Sequence, residues 1–270
     1  MFLIKPGYVY WQSLLAEVLF VQNYFGGIWN HTWSLAVEEH FYLLLVGAVL
    51  IAMYVKLHPI KVLCVGSLGL IIGCSVLRVS IESIPYQHET HLFPTHLRMD
   101  SLAFGVLLRA ALNGKPNLLL PTPVRLLLIL LATAISSWAF FLPLGSAGWL
   151  TGFGFSLLSI ASVILIIALS DWPNLESNAL IKFTAMVGSY SYSIYLWHML
   201  LMLVFNSFAK RAWPYMWPEI NAFLCLTWMF AGGIVLAKLI EMPVLAFRDR
   251  IFPSFSARAA SPHSYPSISK

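Results

Sequence analysis

The stretch His31-Thr32-Trp33-Ser34-Leu35-Ala36-Val37-Glu38-Glu39-His40-Phe41-Tyr42 sets two adjacent carboxylates and an imidazole at the mouth of an apolar run, Leu43 to Val55. A helix needs about 20 apolar residues to cross a bilayer. Read forward from Leu35, the run is long enough. Read backward, the charges mark the helix's entrance. Ser34 is well placed to start the helix, and Glu38 and Glu39 fall in its first turns, where the helix dipole favours negative charge. Glu38 and Tyr42, four apart, share a face. Two readings of the segment stay open. It is either capping charge beside an aromatic interface belt, or a carboxylate and a tryptophan lining the mouth of a polar cavity.

Composition favours a membrane around that helix. Of 270 residues, 59% are hydrophobic and 10% charged, with a mean hydropathy of +0.79. Soluble domains carry about 25% charged residues, so this chain lacks the polar surface to face water all round. The net charge of +5 is spread over short loops, not clustered on one face, which fits membrane topology better than nucleic acid. Cys64, Cys74 and Cys225 lie inside apolar runs without metal-ligand spacing and read as buried, inert thiols.

Eight spans are expected, at 8–25, 35–55, 60–80, 97–113, 123–142, 148–170, 185–208 and 219–245, in an all-α transmembrane bundle. The first is interrupted by Gln12, Glu17, Gln22 and Asn23, and the fourth opens on Arg98 and Asp100. Long runs without ten-residue alternation exclude a barrel. Eight spans put both termini on one side together with eleven Lys and Arg, against four on the other. The positive-inside rule makes that side cytoplasmic. The start of the chain lacks a basic-then-apolar leader. Residues 1–252 form one membrane domain, and 253–270, rich in Ser and Pro, form a disordered cytoplasmic tail.

Other polar groups inside the apolar chain point to a polar interior. Arg98 and Asp100 are two apart, so they do not face each other on a helix, and each needs another partner. His88 and His91 with His96 or Asp100 offer metal-ligand types, but Pro94 breaks the helical face and no HExxH-type pair exists, so no metal is expected. Ser191, Tyr195 and His198 recur at four and three residues and form one helical stripe. Lys238 and Glu241, three apart, are placed to pair, and Pro243 is expected to kink or end the last helix.

The segments Val21–Leu45 (VQNYFGGIWNHTWSLAVEEHFYLLL), Thr95–Leu108 (THLRMDSLAFGVLL) and Gly188–Leu201 (GSYSYSIYLWHMLL), with a weaker match at Ile240–Pro243, carry a resemblance. In their order they resemble the acyltransferase-3 family of integral membrane acyltransferases, which O-acylate sugars, polysaccharides and other cell-envelope molecules. The resemblance implies transfer from acyl-CoA, acetyl-CoA being the expected co-substrate, to a hydroxyl of a carbohydrate or lipid-linked envelope acceptor. It implies no bound cofactor, a bacterial inner membrane and no nucleic-acid partner. By resemblance, Trp33, Ser34 and Glu38 shape the acceptor side, Arg98 and Asp100 lie at or near the polar cavity, and Tyr195 joins them in substrate binding. Glu38 and His198 become the candidate catalytic residues. His40 stands where the family often has Gln and is not the expected base. The family's first spans carry an Arg and a catalytic His that have no counterpart before Trp33, so a shortened member is expected. The alternatives are an inactive fragment, or a transport or scaffold protein of the same fold.

Overall fold

A computed structural model describes residues 11–112, 120–146, 148–172, 178–213, 215 and 217–252. Among them every regular element is helical. The expected tail, 253–270, lies outside the described residues. The chain forms two compact units, Met1–Trp172 and Pro173–Lys270.

In the first unit α1 (Trp11–Val18) and α2 (Gln22–Phe25) lead through a 3-10 turn (Asn30–Thr32) into α3 (Trp33–Tyr54). Then follow α4 (Pro59–Ser80), the single turn α5 (His88–His91), α6 (Asp100–Ala111), α7 (Thr122–Ser136), α8 (Trp138–Phe141), a π-helical turn (Leu150–Gly154) and α9 (Phe155–Leu169). Helix α4 packs on α3 and α6, and α9 packs on α6 and α7. The second unit holds α10 (Ala179–Ser189), α11 (Ser191–Ala212), α12 (Pro218–Leu236), a second π-helical turn (Ala237–Glu241) and α13 (Met242–Ile251), with α11 and α12 packed together.

Among the described residues, six helical stretches are long and apolar enough to cross a membrane: Asn30–Tyr54, Pro59–Ser80, Thr122–Phe141, Leu150–Leu169, Ser191–Ala212 and Pro218–Ile251. They make this an all-α, polytopic integral membrane protein. They coincide with six of the eight expected segments; the other two, 8–25 and 97–113, hold shorter helices among the described residues. Over 8–25 the helix stops at Val18, because Phe20 takes a positive φ of 55° and the polar side chains that follow bond to neighbouring loops. Over 97–113, Arg98 sits before the helix and α6 has 12 residues. At 1.5 Å per residue that is about 18 Å, short of a core of about 30 Å.

Burial is inverted relative to a water-soluble domain. Large apolar side chains such as Leu43 (72% exposed), Ile51 and Leu127 point outward, as lipid contact requires. Small residues, among them Ala36, Ala103, Ala132 and Ala161, fill the helix contacts. The largest fully buried side chains include Arg78, Arg125 and Asp100. Lipid cannot satisfy these groups, so they close on protein.

Arg125, at the start of α7, reaches the far end of its neighbour. Its guanidinium donates to the carbonyls of Ala168 (2.8 Å) and Ser170 (2.5 Å) just where α9 ends, and to Leu120 (2.9 Å) and Asp171 (3.2 Å). A helix C-terminus leaves such carbonyls unpaired and carries partial negative charge, which a cation complements. Hydrogen bonds to charged groups contribute about 1.5–3 kcal/mol each. Arg125→Leu is therefore expected to destabilise the first unit by about 3 kcal/mol or more. Detergent-solubilised chain titrated with SDS checks this; a loss below about 1 kcal/mol would contradict the cap.

Proline explains the second π turn. Pro243 has no N–H and its ring crowds the carbonyl four residues back, so the wider turn at Ala237–Glu241 absorbs the misfit and α13 continues. The helix does not end at Pro243 but runs on through the π turn to Ile251.

Candidate functional site

The entrance of α3 is held by residues from the broken first segment. Glu17 Oε1 accepts from the backbone N–H groups of Ile28 (3.1 Å) and Trp29 (3.2 Å) and from the Thr32 hydroxyl (2.9 Å). Gly27 permits this, since a Cβ there would collide with the Glu17 carboxylate and Gln22. Helix α3 starts at Trp33, one residue earlier than Ser34 suggested, and has no side-chain cap. The Thr32 hydroxyl, which stands at the cap position, is taken by Glu17 and the Trp29 carbonyl instead.

Thr95 then ties the two motif segments together. Asn23 Nδ2 donates to Thr95 Oγ1 (2.6 Å) and to the Phe93 carbonyl (3.2 Å), while Thr95 Oγ1 also lies 2.8 Å from His40 Nδ1. His40 is thus engaged in joining α3 to the loop before α6. Gln22 Nε2 donates to the Thr32 carbonyl at 2.9 Å. Sequence reasoning read Gln22 and Asn23 only as interruptions of a span. Their presence in an apolar segment was the available signal that they serve a polar interior.

Trp33 is the hinge of the site. It stacks on Phe93 with ring centroids 5.4 Å apart, and Arg98 Cζ lies 6.0 Å from its ring. Arg98 also sits 4.0 Å over the ring of Phe155. Its Nε and Nη1 are buried without a hydrogen-bond partner among the described residues. Burial pulls the Arg98 guanidinium down to about 10, against the opposing pull of the Asp100 carboxylate, so it stays cationic at neutral pH. The Tyr86 hydroxyl is buried and unpartnered in the same way. Burial pushes its pKa up, and the Arg98 charge works against that rise.

Asp100 finds the partner that its spacing from Arg98 denied it. Its Oδ2 accepts from Arg78 Nη2 (2.7 Å) and Ser156 Oγ (2.9 Å). Arg78 completes the knot with the carbonyls of Gly152 (2.8 Å) and Leu97 (2.5 Å) and the hydroxyl of Ser156 (2.6 Å). Gly152 belongs to the first π turn, whose irregular bonding leaves a carbonyl for the guanidinium. Arg78 is 1% exposed, and Asp100 is 0% exposed.

Glu38 is half-buried, Glu39 is exposed, and Ser34 is half-buried on the first turn. Glu38 makes no hydrogen bond or ion pair among the described residues, which leaves its carboxylate available for chemistry.

The other candidates lie in the second unit. His198 Nδ1 is 2.5 Å from the Tyr195 carbonyl, with the two rings 5.8 Å apart. A carbonyl only accepts, so Nδ1 carries a proton, and the neutral ring has its lone pair on Nε2. The Ser191–Tyr195–His198 stripe is not the buried face of α11: Ser191 is exposed, and Ser193 is the buried hydroxyl. Ser193 donates to Glu241 Oε2. That bond replaces the expected Lys238–Glu241 pair; Lys238 Nζ instead lies 5.9 Å over the Tyr190 ring. Trp33, Ser34, Glu38, Arg98 and Asp100 thus fall in the first unit, and Tyr195 and His198 in the second. No group of three His, Cys, Asp or Glu side chains among the described residues is placed to hold a metal ion. His91 is engaged by the Thr90 hydroxyl (2.7 Å) and the Ile81 carbonyl (3.3 Å).

A family model described as an acyltransferase domain (Acyl_transf_3) matches residues 1–239. The chain is 31% identical over 192 residues to O-acetyltransferase OatA of Staphylococcus aureus strain NCTC 8325 / PS 47, which covers 66% of this chain and 30% of that protein. OatA of strain COL matches equally. A protein of strain COL with a provisional O-acetyltransferase name is 27% identical over 210 residues, 73% of this chain and 33% of its own length. The chain spans about a third of the length of these curated relatives. No solved structure matches it.

Proposed function

We propose, on the premise that the chain belongs to this acyltransferase family, that it transfers an acetyl group from acetyl-CoA to a hydroxyl of a cell-envelope carbohydrate. The observation that carries the reading is Arg98: a buried cation with two donor nitrogens unpaired among the described residues, beside the tryptophan of one matching motif and within the other. Unspent donors in a dry site are what a developing oxyanion requires. In the reaction the acceptor oxygen attacks the thioester carbonyl, the C–S bond breaks and a C–O ester bond forms. The hydroxyl proton passes to a base and finally to the departing CoA sulfur. Glu38, without a partner of its own, suits the base. Arg98 suits the oxyanion, with Trp33 and Ser34 flanking the acceptor and Asp100 keeping the Arg98 segment in place through Arg78.

His198 is the second candidate for proton transfer, because the Tyr195 carbonyl holds it in the tautomer whose Nε2 accepts a proton. Tyr195 is its neighbour in binding substrate. His198→Ala is expected to lower kcat by about 100-fold or more, the span of general acid–base catalysis being about 10²–10⁴. His198→Gln, which keeps a hydrogen-bonding side chain but cannot take the proton, should lose as much. A wild-type rate in either variant would remove His198 from the mechanism.

The test of the whole reading is transfer of radiolabelled acetyl from acetyl-CoA to an envelope fraction by the chain in lipid nanodiscs. No transfer above background would overturn it. We place the protein in a bacterial inner membrane with both termini cytoplasmic. An even number of spans returns the chain to its starting side, and the excess of Lys and Arg supports the cytoplasm for that side.

A further inference from the structure

Helix α6 is too short to fill the space beside its neighbours. Arg78 in the last turn of α4 holds Asp100 at the start of α6, while Ile60 near the start of α4 and Arg109 near the end of α6 line one cavity. The two helices therefore run antiparallel, α4 for about 33 Å and α6 for about 18 Å. The cavity, of about 670 Å³, lies where they meet α3, and Phe41, Leu45, Leu63 and Leu102 are among its walls. A second cavity of about 220 Å³ shares Phe41, Leu45 and Leu63 and continues between α3 and α4 along Ala48, Gly66 and Leu70. Two apolar channels thus diverge from one common wall. A Cβ at Gly105 or at Gly66 would meet no atom within 4 Å, so both glycines face open space.

One end of this groove is charged. Arg109 lines the larger channel. Lys61 stands next to Ile60 in the first turn of α4, and Lys56 lies in the turn between α3 and α4, both exposed like Arg109. No Asp or Glu occurs between Glu39 and Glu82 or between Asp100 and Asp171. The ion pairs among the described residues are Arg78–Asp100 and Arg248–Asp249, so none of the three cations is neutralised among them. Cations at the end of an apolar groove between membrane helices suit an anionic headgroup attached to apolar chains. A guanidinium matches a phosphate with two parallel N–H donors. Two channels leaving one wall match two chains leaving one headgroup.

We infer that this groove holds an anionic diacyl phospholipid as a bound structural lipid, not a substrate. Its phosphate sits at the Arg109 end, in the positive field of Lys61 and Lys56, and its two chains fill the two channels. The site is distinct from the catalytic candidates, since Glu38 and Arg98 line neither channel. The claim needs neither acyl transfer nor a particular side of the membrane. A lipid seated there bridges α3 and α6, the helices at whose entrances Glu38 and Arg98 stand.

Native mass spectrometry of the full chain, released from micelles holding equal amounts of dioleoyl phosphatidylglycerol and dioleoyl phosphatidylcholine, tests this. Phosphatidylglycerol is expected to stay bound in excess. Arg109→Gln should lower its retention about fivefold, the usual effect of one cation near an anionic headgroup, and leave phosphatidylcholine unchanged. Arg109→Lys, which keeps the charge, should recover most of that loss. Gly105→Leu fills the groove without meeting a neighbour at its Cβ, and should lower retention of both lipids at an unchanged SDS midpoint. Lysophosphatidylglycerol, with one chain, is expected to be held about tenfold more weakly or worse. Equal retention of the two diacyl lipids, or an excess of phosphatidylglycerol untouched by Arg109→Gln, overturns the site. Lysophosphatidylglycerol held as well as the diacyl lipid overturns the assignment of two chains to two channels. Displacement of the lipid by acetyl-CoA would give the groove to the acyl donor, and a lipid-free dimer would give it to a second copy of the chain; either result overturns the proposal.

Discussion

Arg78→Met is expected to cost the first unit about 3–5 kcal/mol, the usual result of stripping one member from a buried ion pair. The side chain lost is 1% exposed, and the carboxylate it leaves behind, Asp100, is 0% exposed. Asp100 would retain only the Ser156 hydroxyl, and the carbonyls of Leu97 and Gly152 would lose their donor. The effect should spread across α4, α6 and α9, since the guanidinium touches the start or the run-in of both neighbours. SDS titration of the solubilised full chain, read by circular dichroism, gives the number. Arg78→Met combined with Asp100→Leu is expected to recover more than half of the loss, because replacing both partners removes the stranded charge. A double variant no better than the single would mean that the backbone carbonyls, not Asp100, are what Arg78 serves. A single variant at wild-type stability would contradict the buried knot altogether.

Glu38→Gln is expected to lower kcat for acetyl transfer by about 10²–10⁴, the range for loss of a general base. Its effect on stability should be small, within about 0.5 kcal/mol, because the carboxylate holds no hydrogen bond or ion pair among the described residues. That contrast makes the prediction sharp: a large catalytic loss with an unchanged SDS midpoint. Glu39→Gln, one residue along and exposed, serves as the control and should remain near wild type. Equal losses in the two variants would point to the local charge of the α3 entrance. A wild-type rate in Glu38→Gln would remove Glu38 as base and leave His198 to answer for the proton.

These two residues show how differently the site could be read from sequence. Glu38 was visible because a carboxylate at the edge of an apolar run is conspicuous, and the motif around it carries the family resemblance. Arg78 was invisible as a functional support. It ends a long apolar run, where a basic residue ordinarily marks a membrane boundary, and nothing near it in sequence hints at Gly152, 74 residues away. Arg125 is likewise far in sequence from its α9 partner, Ala168 lying 43 residues further on. Asn23 and Thr95, separated by 72, gave no joint signal at all.

Hydropathy by itself determined the class of the protein and most of its helices, because in lipid each backbone polar group must pair within its own segment and so the apolar runs alone dictate where helices form. The motif segments by themselves determined the family and brought Trp33, Glu38, Arg98 and Asp100 forward. Only the tertiary structure decided that segments 8–25 and 97–113 do not run as full-length helices, that Asp100 pairs with Arg78 and not Arg98, and that Glu241 takes the hydroxyl of Ser193 and not the charge of Lys238. The physical reason is common to all three. A polar side chain in an apolar protein goes wherever its hydrogen bonds can be met, and the groups that meet them come from helices distant in sequence.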